Sequence, residues 1–585
     1  MTYMYETPQY HKVPLSSKVN SKYPRYNLYV YGEGYYADSL RRLNMHGIPV
    51  LFIHGNAGSY KQVRSLASVA LRKAENMAFH FNYFSVDLNE EFSGMMGGTL
   101  QQQTEYVHYC IKKIFSLYKK ARNPPSSVVL VGHSMGGVIA RALFSLPQFA
   151  AHHVHLIITQ ATPHQQPVVS LDNYLVNFYK KVNHYWAENS DTVLANVTIV
   201  STGGGERDYQ VPTWSTSLSN IANDDVSISA ATTAVPFAWV STDHLCAVWC
   251  RQIVLITNRA LFDLVDRTTN QITNNLDFKK QVLQTHFLEH PGKTRPMRSW
   301  KTSIDIDPEA PWILQEKSSW NYHQKQVSKV KYLVSPIPVP GDMELDHFTA
   351  VSDVLADSWI CACTLPQGQK RCSNCTNLSQ KGRALLPKKS YKKYMILKLS
   401  ELSAYTHIIL IVAANSPMSA ISAEFYSSNR RHLLSPLPSW FNLPFTFSHN
   451  ALYYQMKFYK MDSVLKAYTF SLQPYNCQSR SNDEYAGSVI AYKLPWANVA
   501  NYKFIEKNSA GNLSFKLLVP KPYKSRYSDP ELQLFLNPYC NYRLLVEWSL
   551  IMSLGQEFAS MGTEHHIFFA ILPKAFFLLS IYPNP

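Results

Sequence analysis

An apolar run, Val128 to Val131, leads into Gly132-His133-Ser134-Met135-Gly136 and then into a helix-forming stretch ending near Arg141. A serine flanked by glycines two residues away on each side, on a turn between a strand and a helix, forms the G-x-S-x-G nucleophile elbow. The chemistry this suggests is acyl transfer, in which the serine hydroxyl attacks a carbonyl and holds the acyl group covalently. Both glycines are required because the turn is so tight that a side chain at either position would clash. Ser134 is expected in a strained backbone conformation, with its hydroxyl presented at the N-terminus of the following helix.

A serine hydroxyl needs a general base, and the base needs a carboxylate to orient it. On the α/β-hydrolase fold these follow the serine in the order acid, then histidine. Asp208 lies just beyond an apolar run and a glycine run, Gly203-Gly204-Gly205, where a carboxylate can turn back toward the site. Glu206 is the competing choice. His244, in Ser241-Thr242-Asp243-His244, ends a short apolar run and precedes a closing helix. Of 21 histidines, it alone has both the right order and a loop position before that helix. His153, His155 and His164 are nearer Ser134 in sequence but lack this position. His133 flanks the nucleophile and is expected to point into the packing on the sheet side. The oxyanion of a tetrahedral intermediate needs two N–H donors. The backbone amide of Met135 supplies one, and that of Asn56, in His54-Gly55-Asn56-Ala57-Gly58, is expected to supply the other.

These residues need a rigid frame. Residues 45 to 270 alternate apolar strand-like runs with amphipathic helical patterns, which argues for a mainly parallel sheet. Expected strands are Ile48 to Ile53, His80 to Val86, Val128 to Val131, Val154 to Thr159 and Val197 to Ser201. Expected helices are Tyr60 to Met77, Thr99 to Ala121, one after Ser134, Asp172 to Glu188, and Val248 to Asp266. Beyond about residue 300, short β-prone runs separated by Pro-, Ser- and Asn-rich connections suggest a sandwich or jelly roll. The expected organisation is α/β-hydrolase domain 1–285, a linker near 285–312, β-rich domain 312–549, and 550–585 as a possible remnant of a membrane domain.

Composition sets the outer limits. The chain has 585 residues, 46% hydrophobic and 16% charged, with a net charge of +16. Disorder, coiled coil and collagen are excluded. The basic residues come as short pairs such as Lys112-Lys113 and Lys392-Lys393, with no nucleic-acid motif, so a nucleic-acid partner is not expected. No organic cofactor or metal is expected either. Of nine cysteines, Cys361, Cys363, Cys372, Cys375, Cys477 and Cys540 fall in the second half. Cys361-x-Cys363 with Cys372-x2-Cys375 could be read as zinc thiolates, but the first spacing is one residue short, and disulfides of a lumenal or secreted chain fit better. Asn-x-Ser/Thr triplets at Asn196, Asn374, Asn377 and Asn512 agree with that compartment. No apolar leader follows Met1. Ile567 to Tyr582 is apolar but interrupted by Pro573 and Lys574, short of the ~20 residues of a spanning helix. The expectation is a soluble protein, or a chain lacking both membrane-targeting ends.

Gly55 to Ser65, Val131 to Ala142, Thr159 to His164, Arg207 to Val211 and Val240 to Leu245 together resemble diagnostic segments of the GPI inositol-deacylases. The likeness is specific from Met1 to about residue 275 and continues weakly to Gln556. It implies an endoplasmic-reticulum membrane enzyme, catalytic domain lumenal, that removes the acyl chain from the inositol of GPI anchors and so licenses export of GPI-anchored proteins. The implied partners are the acylated anchor, its attached proteins and the membrane lipid surface. The resemblance also implies the same roles for Ser134, Asp208 and His244 that their order suggests. The family carries an N-terminal membrane helix and a C-terminal membrane domain, of which only Ile567 to Tyr582 could be a remnant here. Two other readings stay open: a lipid or ester hydrolase with a different substrate, and a non-catalytic module whose β-rich half recognises glycan or protein cargo.

Overall fold

The computed structural model describes residues 5–292, 301–338, 344–366, 368–386, 392–436, 444–447, 451–459, 467–478, 487–506, 511–516 and 529–548. Residues 550–585, including the apolar stretch Ile567 to Tyr582, lie outside the described residues, as does part of the expected linker. The chain divides after Phe287 into two compact units.

The first unit is built on an eight-stranded sheet. Its strands are β1 (Pro8–Lys12), β2 (Asn27–Glu33), β3 (Ile48–Ile53), β4 (Phe81–Asp87), β5 (Val129–His133), β6 (Leu156–Gln160), β7 (Thr198–Gly203) and β8 (Ser227–Ala231). Their spatial order is β1-β2-β4-β3-β5-β6-β7-β8. β2 runs antiparallel to both neighbours, and every pairing from β4 to β8 is parallel. The central strands are apolar along their whole length because helices cover both faces of a parallel sheet. All six residues of β3, Ile-Pro-Val-Leu-Phe-Ile, are buried.

Helices Arg64–Ala74, Gly97–Leu117, Met135–Ala142, Asn173–Asn189 and Arg251–Asp263 connect or close these strands. Val107, Ile111 and Ile114 form the buried stripe of the second. Asp172 caps the fourth, accepting from the Tyr174 N–H at 2.8 Å, one of the orphan donors at a helix start. After β3 the chain goes to β4 on one side, then crosses back over β3 to β5 and continues outward. The crevice at the carboxyl ends of β3 and β5 is therefore the topological switch point, where open α/β sheets hold their sites.

Among the described residues, the second unit pairs its strands antiparallel apart from two short parallel pairings. Its first strand, Ser303–Asp305, begins earlier than residue 312. A six-stranded and a five-stranded sheet share one core containing Leu333, Ile360 and Leu410 from the first, with Phe348, Met395 and Ala423 from the second. A further five-stranded and four-stranded pair follows, joined where the Phe470 ring meets those of Phe458 and Tyr492 at 5.7 and 5.4 Å. Cys361–Cys375, Cys363–Cys372 and Cys477–Cys540 are disulfides, so the zinc reading of the first four thiols fails. Cys110, Cys246 and Cys250 are free. Among the described residues no helix is long and apolar enough to cross a membrane.

Candidate active site

Ser134 follows the last residue of β5 and precedes the helix Met135–Ala142, with φ 54° and ψ −125°. A positive φ is costly for a residue with a Cβ, and the surroundings hold it there. The Ser134 N–H donates to the Gln160 carbonyl at 2.9 Å, and the Gly137 N–H donates to the Ser134 carbonyl at 3.1 Å. A Cβ on Gly136 would lie 2.0 Å from the Ile53 carbonyl oxygen, and one on Gly132 would lie 2.5 Å from the Gly137 backbone. The two glycines thus let the helix and β3 close around the turn. Gly55 matters equally: a Cβ there would lie 2.4 Å from that of Ser134. The loop after β3 therefore lies directly against the serine.

Asp208 and His244 stand on neighbouring loops after β7 and β8. The His244 Nδ1–H donates to Asp208 Oδ2 at 3.1 Å, with both side chains almost wholly buried. Asp208 Oδ1 accepts from the N–H groups of Gln210 and Val211 at 3.1 and 2.9 Å. Glu206 stands half-buried two residues earlier. One carbonyl ties the loops together. Gly204 O accepts from Thr242 N at 2.8 Å, from Ser241 Oγ at 3.0 Å and from Thr232 Oγ1 at 3.2 Å. Ser241 Oγ also accepts from the Arg207 N–H at 2.9 Å. A Cβ on Gly204 would lie 2.7 Å from the Thr242 carbonyl oxygen and 2.8 Å from the Asp208 Cβ, so the contact needs glycine.

Met135, adjoining the serine, is buried at the first position of its helix. Its backbone N–H belongs to the unpaired first turn of that helix. Asn56 is half-buried, and its Oδ1 accepts from the Gly94 N–H at 2.8 Å, fixing the loop after β3 to the one after β4. His54 fixes the other end of that loop. Its Nδ1–H donates to the Gly55 carbonyl at 2.9 Å, and its Nε2 accepts from the Leu88 N–H at 3.0 Å. Burial lowers its pKa, so the ring is neutral, as this bonding requires.

Several contributors were not visible in the sequence. His133 is buried as expected, but it also reaches His244: its Nε2–H donates to the His244 carbonyl at 2.9 Å, and the two rings lie 4.8 Å apart. Burial, followed by the neighbouring His244, pushes its pKa down to about 3. Ser241 likewise had no signal beyond standing three residues before His244. Arg141 is fully buried and donates to Asn183 Oδ1 at 2.6 Å and to the His164 carbonyl at 3.3 Å. It clamps the helix after the elbow to the helix Asn173–Asn189, and burial lowers its pKa to about 10. Among the described residues, no group of three or more His, Cys, Asp or Glu side chains is arranged to hold a metal ion.

Residues 44–264 match the model of the PGAP1-like alpha/beta domain, and residues 429–560 match that of the GPI inositol-deacylase beta-sandwich domain. The chain is 39% identical over 565 residues to the GPI inositol-deacylase of Xenopus laevis, covering 95% of this chain and 60% of the relative. It is 36% identical over 564 residues to the GPI inositol-deacylase of Mus musculus, with the same coverage. The chain thus spans about three fifths of the length of these relatives. Esterase B from Lactobacillus Rhamnosis is 14% identical, with a TM-score of 0.28, over 49% of this chain and 90% of that one.

Proposed function

Since the chain belongs to the GPI inositol-deacylase family, we propose that it is a serine ester hydrolase that removes the acyl chain from the inositol of GPI anchors. The observation that carries the reading is the buried Asp208–His244 bond, at 3.1 Å, on loops at the same sheet edge as a strained serine. Ser134 is the nucleophile, His244 the base and Asp208 the group that orients it. His244 takes the hydroxyl proton as Ser134 Oγ attacks the ester carbonyl. The backbone N–H groups of Met135 and Asn56 stabilise the oxyanion. His244 then returns the proton to the inositol oxygen as the acyl–oxygen bond breaks. A water, deprotonated by the same imidazole, hydrolyses the acyl-serine and releases the fatty acid.

The catalytic domain is residues 1–285, the enzyme works on the lumenal side of the endoplasmic-reticulum membrane, and its products are deacylated anchors on proteins ready for export. A lipid surface as partner has support in the rim of the site. Phe92, Met95 and Met96 after β4, Leu171 and Tyr174 after β6, and Leu245 beside the base are all exposed. Asp172 joins two of these loops, its Oδ2 accepting from the Gly97 N–H at 2.7 Å. Apolar side chains clustered in the open mark an interaction surface. The double variant Met95→Asp, Leu171→Asp should bind phosphatidylcholine vesicles at least several-fold more weakly, with soluble-ester hydrolysis unchanged. Equal vesicle binding would refute this surface.

Ser134→Ala should abolish release of fatty acid from an acylated GPI anchor and labelling by a fluorophosphonate, with the melting temperature unchanged. Wild-type release by the variant would overturn the assignment. Labelling of Ser134 combined with hydrolysis of glycerolipids but not acyl-inositol would favour a hydrolase of different substrate.

A further inference from the structure

The Asn-x-Ser/Thr triplets at Asn196, Asn374, Asn377 and Asn512 have no part in the catalysis proposed above. In N-glycan transfer, the Asn Nδ2 bonds to the anomeric carbon of a lipid-diphosphate-linked oligosaccharide. The sugar–phosphate bond breaks, and Nδ2 gives up one proton. The finished side chain keeps one N–H instead of two and carries a bulky hydrated group. A usable acceptor must therefore end up exposed, with no structural role for its carboxamide.

Two of the triplets compete on one short strand, Asn374–Asn377. Successive side chains in a strand face opposite ways, so residues three apart cannot share a face. Exposure follows that parity: Asn374 and Thr376 are exposed, while Cys375 and Asn377 are buried. Cys375 turns inward to its disulfide with Cys361. Asn377, only 8% exposed, has a fully used carboxamide. Its Nδ2 donates to the Lys301 carbonyl at 3.0 Å and to Ser358 Oγ at 3.1 Å, and its Oδ1 accepts from the Ser379 N–H at 3.0 Å. The last of these is an Asx turn.

Ser379, the hydroxyl residue of the same triplet, is committed too. Its Oγ accepts from Trp359 N and Ile360 N at 2.9 and 3.1 Å and donates to the Ile360 carbonyl at 3.1 Å. A sugar on Asn377 would remove a donor from this knot and place a hydrated group inside the sandwich, leaving buried polar atoms unpaired. Asn196, by contrast, is exposed in the turn before β7.

We propose that Asn374 and Asn196 are N-glycan attachment sites and that Asn377 stays unmodified, its triplet being a structural turn. The inference rests on the lumenal placement proposed above, so its test forces entry to that compartment. The full chain is expressed behind a cleavable secretory leader in a glycosylating eukaryotic cell. The folded, monodisperse fraction is treated with peptide-N-glycosidase in heavy-oxygen water and mapped by mass spectrometry. Heavy-oxygen Asp is expected at 374 and 196, with unmodified Asn at 377. Label at 377, or none at 374 or at 196, would overturn the proposal. Because the leader guarantees entry, an unmodified chain made without it would count against the lumenal placement alone. Asn374→Gln should lose one glycan and keep its melting temperature. Asn377→Gln should keep every glycan and melt lower, because the longer side chain cannot close the Asx turn. Wild-type stability of Asn377→Gln would refute the structural role.

Discussion

His133 stands beside the proposed nucleophile, yet its hydrogen bond goes to the peptide of the proposed base. With its pKa pushed down to about 3 by burial, the ring is neutral. Its Nε2 carries the proton donated to the His244 carbonyl. This makes it a positioning residue, holding the His244 backbone so that the imidazole keeps its bond to Asp208. His133→Leu should lower kcat roughly tenfold, the order expected for a lost buried hydrogen bond, with KM unchanged. His133→Gln retains a donor and should recover part of the loss. The far-downfield proton signal of His244 Nδ1–H should broaden in the Leu variant and sharpen again in the Gln variant. Equal losses in both, with that signal unchanged, would reduce the role to packing. The sequence shows that His133 adjoins Ser134 but gives no hint that its ring reaches residue 244, because that contact depends on how two distant loops meet. The choice between Asp208 and Glu206 was similarly open. It depends on the turn in which the N–H groups of Gln210 and Val211 grip one carboxylate oxygen, and two acids in a glycine-rich turn look alike until that turn is formed.

The elements that carry the site were legible wherever burial imposes a pattern. β3 spans the expected Ile48 to Ile53 without change, and β4 to β7 shift by only a residue or two, since a strand covered on both faces must be continuously apolar. The helix after β6 begins where Asp172 announces a cap. The misses have physical reasons as well. β1 and β2 lie at the antiparallel margin and carry polar and aromatic residues. β8 reads Ser-Ile-Ser-Ala-Ala, too small-sided to stand out as a strand. The helix Leu276–Phe287 was also missed; it buries Lys279, whose Nζ donates to the Asn196 carbonyl at 3.0 Å, and that charge masks its apolar face. At this scale the loop after β3 is the sensitive part. Gly55→Ala brings a methyl group against the Ser134 Cβ. Fluorophosphonate labelling should fall by at least tenfold, with far-ultraviolet circular dichroism unchanged. Unaltered labelling would show that the loop can yield at no cost to the serine.

Across the whole molecule, the buried imidazoles of the first unit set its response to acid. His54, His133 and His164 are all buried, and burial lowers the pKa of each. In the unfolded chain they titrate near 6.5; in the fold each gains its proton at a lower pH, His133 and His164 well below that value. Between those values the unfolded state binds more protons, so stability falls as pH falls below about 6.5, by at most about 1.4 kcal/mol per pH unit for each imidazole. Urea unfolding of the first unit followed at pH 7.5 and 5.5 should show a clearly lower midpoint in acid, and His164→Asn should flatten that dependence. An acid midpoint equal to the neutral one would contradict the burial of these rings. The cysteines divide the molecule in another way: all three disulfides staple the second unit, and the first holds only thiols. Cross-links stabilise mainly by restricting the unfolded chain, so the thiol–disulfide poise of the surroundings bears on the stability of the second unit through its three bridges. The first unit can be assembled before any oxidant has acted, while the β-rich half is finished only by oxidation.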